Sequence, residues 1–148
     1  MAQGDILKTT GLIVETMPVK TGTTIVKGTL VCDDGAGIVP ATAALAAVTR
    51  CYMAIEGSVA ADPATVECVV YGCVEVAKVS AAGAARKGQK LMVSATAGAV
   101  TKFTPGDVTA TVSEATVEAA NLVNLGVVGE AYESSVAGDA TQKMWLGG

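Results

Sequence analysis

Lys27-Gly28-Thr29-Leu30-Val31, followed by Gly37-Ile38-Val39, returns later in the chain as Lys87-Gly88-Gln89-Lys90-Leu91, followed by Gly98-Ala99-Val100. Each copy reads as a Lys-Gly turn, a short apolar strand, a glycine turn and a second strand. A second pair of segments matches more closely. Ser58-Val59-Ala60-Ala61-Asp62-Pro63-Ala64-Thr65 recurs as Ser135-Val136-Ala137-Gly138-Asp139-Ala140-Thr141, each time before an apolar strand. Two such units are too short for a long solenoid and predict one small β-barrel or β-sandwich with an internal repeat.

Composition points the same way. Val, Thr and Gly fill 56 of the 148 positions, and all three are poor helix formers. Hydrophobic residues make up 51% and charged residues 16%, against about 25% charged in an ordinary soluble domain. That balance excludes a disordered chain. A chain of this length buries roughly 70% of its unfolded surface and needs neither metal nor disulfide to fold.

Outward from the repeat, residues 1–10 read as an N-terminal arm with Ile6 and Leu7 as its apolar residues, and residues 11–148 as a single β domain. Half-repeats are expected at about 19–72 and 80–148. Strands are expected at Leu12–Val19, Leu30–Cys32, Ile38–Pro40, Cys51–Ile55, Val66–Tyr71, Val74–Val79, Leu91–Val93, Ala99–Phe103, Leu125–Tyr132 and Lys143–Leu146. Ala61-Asp62-Pro63 reads as a turn, and Ala41–Val48 as a helical turn or loop. Ser113–Leu122 offers a helix start at Ser113, although Thr109–Val117 reads equally as strand. At most one or two short helices are expected. Pro105–Asn121 is an extra segment of the second unit.

Several function classes are set aside. There is no histidine, so neither a Ser-His-Asp nor a Cys-His site can be assembled. Asp33-Asp34-Gly35 has the chemistry of a hairpin tip rather than of a catalytic pair. No phosphate-binding glycine motif is present. Cys32, Cys51, Cys68 and Cys73 lack the spacing of zinc ligands and read as reduced, buried small hydrophobes. The net charge is −4 and the ten Lys and Arg are scattered, which leaves no footprint for nucleic acid. No apolar run reaches the ~20 residues of a membrane span, and no signal sequence opens the chain. The expectation is no enzyme, no cofactor, no metal, no nucleic acid, no membrane, and synthesis in a cytoplasm.

The order of turns and small residues resembles the small capsid cement, or head decoration, proteins of tailed bacteriophages. The likeness runs through Val19-Lys20-Thr21-Gly22 and Val26-Lys27-Gly28-Thr29-Leu30-Val31, the Ala-rich Ala41–Ala47, and Tyr71-Gly72-Cys73-Val74-Glu75-Val76-Ala77-Lys78. It continues in Ala85-Arg86-Lys87-Gly88-Gln89-Lys90-Leu91-Met92-Val93, Ala97-Gly98-Ala99-Val100-Thr101 and Gly126-Val127-Val128-Gly129-Glu130-Ala131. The resemblance implies a structural virion protein on the capsid exterior, commonly a trimer, that binds the major capsid protein and clamps neighbouring capsomers. Ile6, Leu7 and Leu12 are the candidate contacts with capsid or subunit. A self-assembling bacterial or archaeal surface or shell subunit is the alternative. A small carrier or ligand-binding barrel, with Lys143 in Gln142-Lys143-Met144 as its modified lysine, is a third.

Overall fold

A computed structural model describes residues 2–58, 64–78, 84–106 and 112–147. The protein is mostly β, a curled antiparallel sheet of half-barrel form with two helices among the described residues. Its elements are β1 (Ile6–Pro18), β2 (Leu30–Asp33), β3 (Ile38–Pro40), α1 (Ala43–Val48), β4 (Tyr52–Ala54) and β5 (Thr65–Ala77). Then come β6 (Lys90–Val93), β7 (Val100–Lys102), α2 (Glu114–Leu125), β8 (Val127–Ala131) and β9 (Thr141–Leu146).

The strand order β3-β2-β4-β5-β9-β8-β6-β7 reads as one pattern and its mirror, with β1 paired to β5 off that path. The internal repeat is therefore present in the register. Gly28 N–H donates to the Ala54 carbonyl at 2.7 Å, and Gly88 N–H to that of Ala131 at 2.8 Å. Val19 N–H donates to Ala64 and Lys78 N–H to Ala140, both at 2.9 Å. Pro18 faces Thr65 as Ala77 faces Thr141. Cys68 faces Ala54 as Met144 faces Ala131. These matches fix equivalent positions. In the register each unit starts one strand before its Lys-Gly turn, and β5 closes the first unit while opening the second.

Two expected strands, Val66–Tyr71 and Val74–Val79, are thus one as far as Ala77, Val79 lying outside the described residues. Gly72 looked like a break, but its backbone is extended. A Cβ there would press on the Leu12 side chain, so the glycine instead admits Leu12 against the sheet. The boundary expected after residue 10 likewise falls inside β1. Lys8, Thr9 and Thr10 carry no apolar alternation, yet the strand runs from Ile6 because β5 supplies Val74 and Cys73 as partners of Ile6 and Lys8.

Both faces of β5 are buried, each in its own core. Val66 and Cys68 join Val19, Ile25, Val31, Ile38 and Ala54 in one cluster. Val69, Val74 and Val76 join Leu30, Met53, Leu91, Val100, Met144 and Leu146 in the other. Burial of a Val, Leu or Met side chain stabilises by about 1.5–3 kcal/mol. A buried strand of β-branched residues is what that environment selects.

The helices follow local chemistry. Thr42 caps α1, its Oγ1 accepting from Leu45 N–H at 3.2 Å. Ser113 and Thr116 form a reciprocal capping box on α2. That box settles the strand-or-helix ambiguity for Glu114–Leu125, and Leu125 goes to the helix rather than to β8. Thr23–Val26 forms no strand, and Ile25 makes only a bridge to Ser58. The turn expected at Ala61-Asp62-Pro63 lies outside the described residues.

The two Lys-Gly turns supply a test. Gly28 and Gly88 both have positive φ, +82° and +84°. A Cβ at Gly28 would strike the backbone of Gln3 and Gly4, whereas at Gly88 it meets open space. Gly88→Ala should cost about 1 kcal/mol from backbone strain alone. Gly28→Ala should cost about 3 kcal/mol, overpacking being added to strain. It should also release the amino-terminal residues from β5. Urea denaturation with hydrogen exchange of the Gly4 and Glu75 amides checks both parts.

Candidate interaction surface

The candidate contacts Ile6, Leu7 and Leu12 are all half-buried. Ile6 and Leu12 pack against the larger core of their own chain. The segment before them is tied down. Gly4 N–H donates to the Glu75 carbonyl at 2.7 Å, Glu75 N–H donates to the Asp5 carbonyl at 3.0 Å, and Gln3 Nε2 donates to the Lys27 carbonyl at 2.6 Å. The amino-terminal residues are thereby held along β5, with the strand itself starting at Ile6. The apolar residues of β1 that meet solvent are instead Ile13, 46% exposed, and Val14, 38% exposed. Sequence reasoning passed over them because both fall inside a run that reads as an ordinary core strand, Leu12-Ile13-Val14.

A second apolar surface lies on the helices. α2 buries none of its residues, and Val117, Leu122, Val123 and Leu125 are exposed along it. It packs against α1, whose Val48 is also exposed. α1 carries no charge in its first or last turn, and α2 carries only Glu114 there. What fixes α2 is polar and local: the capping box, and Asn124 Oδ1 accepting from Gly106 N–H at 2.9 Å. Scattered exposed hydrophobics need no explanation, but five exposed apolar side chains gathered on two adjoining helices do.

A third feature gathers cations on aromatic rings. Tyr132 and Trp145 meet edge to face at 5.9 Å between centroids. Lys8 Nζ lies 5.0 Å from the Tyr132 centroid and 5.9 Å from that of Trp145, and Lys87 Nζ lies 5.8 Å from Tyr132. Arg50 stacks on Tyr71 at 4.1 Å. The side chains of Lys90, Asn124, Glu130 and Trp145 border an open cleft of ≈ 550 Å³ beside this cluster.

The second unit also carries polar groups where the first is aliphatic. Lys78 stands where Val19 does, and Gln142 where Val66 does. Both are buried. Lys78 Nζ donates to the Val136 and Asp139 carbonyls at 3.3 and 3.5 Å; Gln142 Nε2 donates to those of Glu133 and Lys143 at 2.9 and 2.8 Å. Glu75 Oε1 accepts from Thr141 Oγ1 at 2.7 Å. These bonds pin the Ser135–Thr141 loop, where the Val136 N–H in turn donates to Asp139 Oδ2 at 2.9 Å. Lys143, the carrier candidate, forms an ion pair with Glu133 at 3.1 Å, which raises its pKa. It sits mid-strand in β9, opposite Glu75, and not at a hairpin tip.

All four cysteines are free and buried. The Cys32 and Cys51 sulfurs lie 3.1 Å apart. Their hydrogen bond lowers the Cys32 pKa, while that bond and burial raise that of Cys51. Burial, helped by Glu56, pushes Cys68 up to about 12, and burial also raises Cys73. Among the described residues no group of three His, Cys, Asp or Glu side chains is placed to hold a metal ion, and no helix is long and apolar enough to cross a membrane.

No family model, curated protein or solved structure matches the chain.

Two outcomes follow from this geometry. The double change Leu122→Asp and Leu125→Asp should lower folding stability by only about 1–2 kcal/mol, from the poorer helix propensity of Asp and two carboxylates in the last turn of α2, since neither side chain is buried in the monomer; urea denaturation measures it. Cys68 should resist iodoacetamide at about pH 8, where a thiol of pKa near 12 is ionised in only about one molecule in ten thousand, and should react once the chain is unfolded. Mass spectrometry after alkylation reads the difference.

Proposed function

We propose that this chain is a capsid decoration protein, a structural virion component that binds the outer surface of a phage-like capsid as a homo-oligomer, in the family manner a trimer, and stabilises contacts between capsomers. The observation that carries the reading is the surface the folded monomer leaves uncovered. Apolar side chains of α1 and α2, among them Val48, Leu122 and Leu125, meet solvent on a protein with few charges to keep free copies apart. Such a surface suits a molecule that works attached to a larger lattice and to copies of itself. The sequence resemblance supplies the particular lattice, the major capsid protein.

The mechanism is mass action. A subunit that binds the expanded shell, and not its dissociated parts, stabilises the shell by the free energy of its own binding. An oligomer that spans several capsomers adds avidity, because each further contact is made at high effective concentration. No bond is made or broken, and the chain's work is done by complementary shape and buried apolar area.

Shells assembled from the major capsid protein encoded in the same genome test this directly. Co-sedimentation should show saturable binding to expanded shells and none to unexpanded ones, and bound shells should withstand higher temperature before rupture. The Leu122→Asp/Leu125→Asp variant should lose oligomerisation while staying folded. Failure to bind expanded shells would overturn the reading. Sheets or tubes formed by the protein alone in negative stain would favour the self-assembling surface subunit instead.

A further inference from the structure

The internal repeat exposes a vacancy that neither unit reveals alone. In the second unit, β5 from Gly72 to Ala77 is paired on one edge by β9. Its other edge is covered by the amino-terminal segment, through the bonds of Gly4 and Asp5 to Glu75. Thr16 is the first unit's counterpart of Glu75, for it faces Glu67 as Glu75 faces Lys143. In a strand, the N–H and C=O of one residue point to the same edge. Glu75 turns both groups away from β9, toward Gly4 and Asp5. Thr16 must likewise turn both away from β5, and so must Val14, two residues along. Glu67 agrees, since its carbonyl accepts from Ile55 on the far side of β5 at 3.0 Å. Among the described residues β1 pairs with β5 alone. Val14 and Thr16 therefore present N–H and C=O groups on an open edge, at the place where the second unit has a strand.

Charge decides what fits there. Glu15 lies on this edge strand and is exposed, with Glu67 across from Thr16 and Glu56 bonded to the Glu67 N–H at 3.0 Å. The nearby cation, Arg50, is stacked on Tyr71. A second copy pairing antiparallel through Val14 and Thr16 would set Glu15 against the same glutamate of its partner, and like charges directly opposite destabilise a sheet. The covered edge of the second unit shows an occupant unlike itself, since Val74, the counterpart of Glu15, faces Ile6 of a different segment.

We propose that the outer edge of β1, from Ile13 to Thr16, is a strand-acceptor site that takes an extended segment of a different protein, running antiparallel to β1 and carrying Lys or Arg opposite Glu15. Under the reading given above, that protein is the shell protein, and the identity of the partner rests on that reading; the acceptor site itself does not. Backbone hydrogen bonds at Val14 and Thr16 would supply the attachment, apolar contact with Ile13 and Val14 would add to it, and Glu15 would select for a basic strand. The chain is thus the recipient of a strand rather than the donor of one, its own amino terminus being spent on β5.

The probes are two capped heptapeptides of alternating Thr and Val, one with Lys at its centre and one with Glu. Titrated into ¹⁵N-labelled protein, the Lys peptide should shift the Val14 and Thr16 amides and slow their hydrogen exchange at least about tenfold, and should bind at least about fivefold more tightly than the Glu peptide. Thr16→Pro removes an N–H that the fold does not use, at an edge position where proline is tolerated. It should abolish the shifts while thermal unfolding stays near that of the parent. Glu15→Lys keeps the edge and should reverse the preference between the two peptides. Shifts mapping elsewhere, Val14 and Thr16 amides already protected in the free monomer, or unchanged peptide binding by Thr16→Pro would overturn the site. Binding of Thr16→Pro to expanded shells as tightly as the parent would remove the shell protein as its occupant and leave the decoration reading intact. Failure of the parent itself to bind shells would sink that reading while the peptide titration still decides the site.

Discussion

Hydrogen bonding along both edges of Thr65–Ala77 joins everything else in this molecule. One edge is taken by β1 from Thr65 to Val74 and by Gly4, Asp5 and Gly28 beyond it, the other by β4 and then β9. Its two faces feed two different cores. A strand in that position cannot be lost piecemeal. Removing Val66 or Cys68 empties the first core, removing Val74 or Val76 empties the second, and the register of both units is set on the same backbone. The palindromic strand order follows, because each unit hangs its hairpin, helix and return strand on opposite ends of one shared strand.

How far this was legible depended on whether the signal was local. Turns were legible: Lys27-Gly28 and Lys87-Gly88 sit at positive φ that favours glycine, and the strands after them follow directly. The mostly β class, a small barrel or sandwich, followed from those turns with the Val and Thr content. The joining of two expected strands into β5 was not legible, because Gly72 in a sequence is punctuation and only the packing of Leu12 against it reveals an extended backbone. β1 was truncated for a related reason. Its polar residues Lys8, Thr9 and Thr10 belong to an edge strand held by hydrogen bonds, and hydrogen bonds leave no hydrophobic period to read. The interaction surface was the least legible part. An apolar residue is equally apolar whether its strand points inward or out, so Ile13 and Leu122 cannot be told from core residues until the sheet is closed.

The two units are unequal in ways that bear on their use. Where the first unit packs Val19 and Val66, the second buries Lys78 and Gln142 and spends their donors on carbonyls of the 133–143 return. Burying a cation and an amide is costly unless every donor is used, and the gain is fixed geometry rather than raw stability. That network ties the second unit's return loop to its neighbouring strands and leaves Glu75 Oε2 and Gln142 Oε1 buried without a partner among the described residues. The first unit has the aliphatic Val19 and Val66 at these positions, and among the described residues its outer edge stands open. Rigid geometry in one half and an unpaired edge in the other is the asymmetry expected of a fold duplicated from one plan and then divided between scaffold and contact.

An open edge on a protein with so few charges needs restraint, or copies would zip together as they fold. The restraint is visible on β1. Glu15 is exposed in its middle, Pro18 ends it without an N–H, and Gly11, at φ +72°, bends it where the register with β5 slips. Each is a device by which natural sheets blunt self-association. None of them bars a shorter, basic, extended segment, because such a segment needs only the few groups between Ile13 and Thr16 and gains from the same carboxylate that repels a like copy. The features that keep the free protein from aggregating are therefore the features that would make its edge selective.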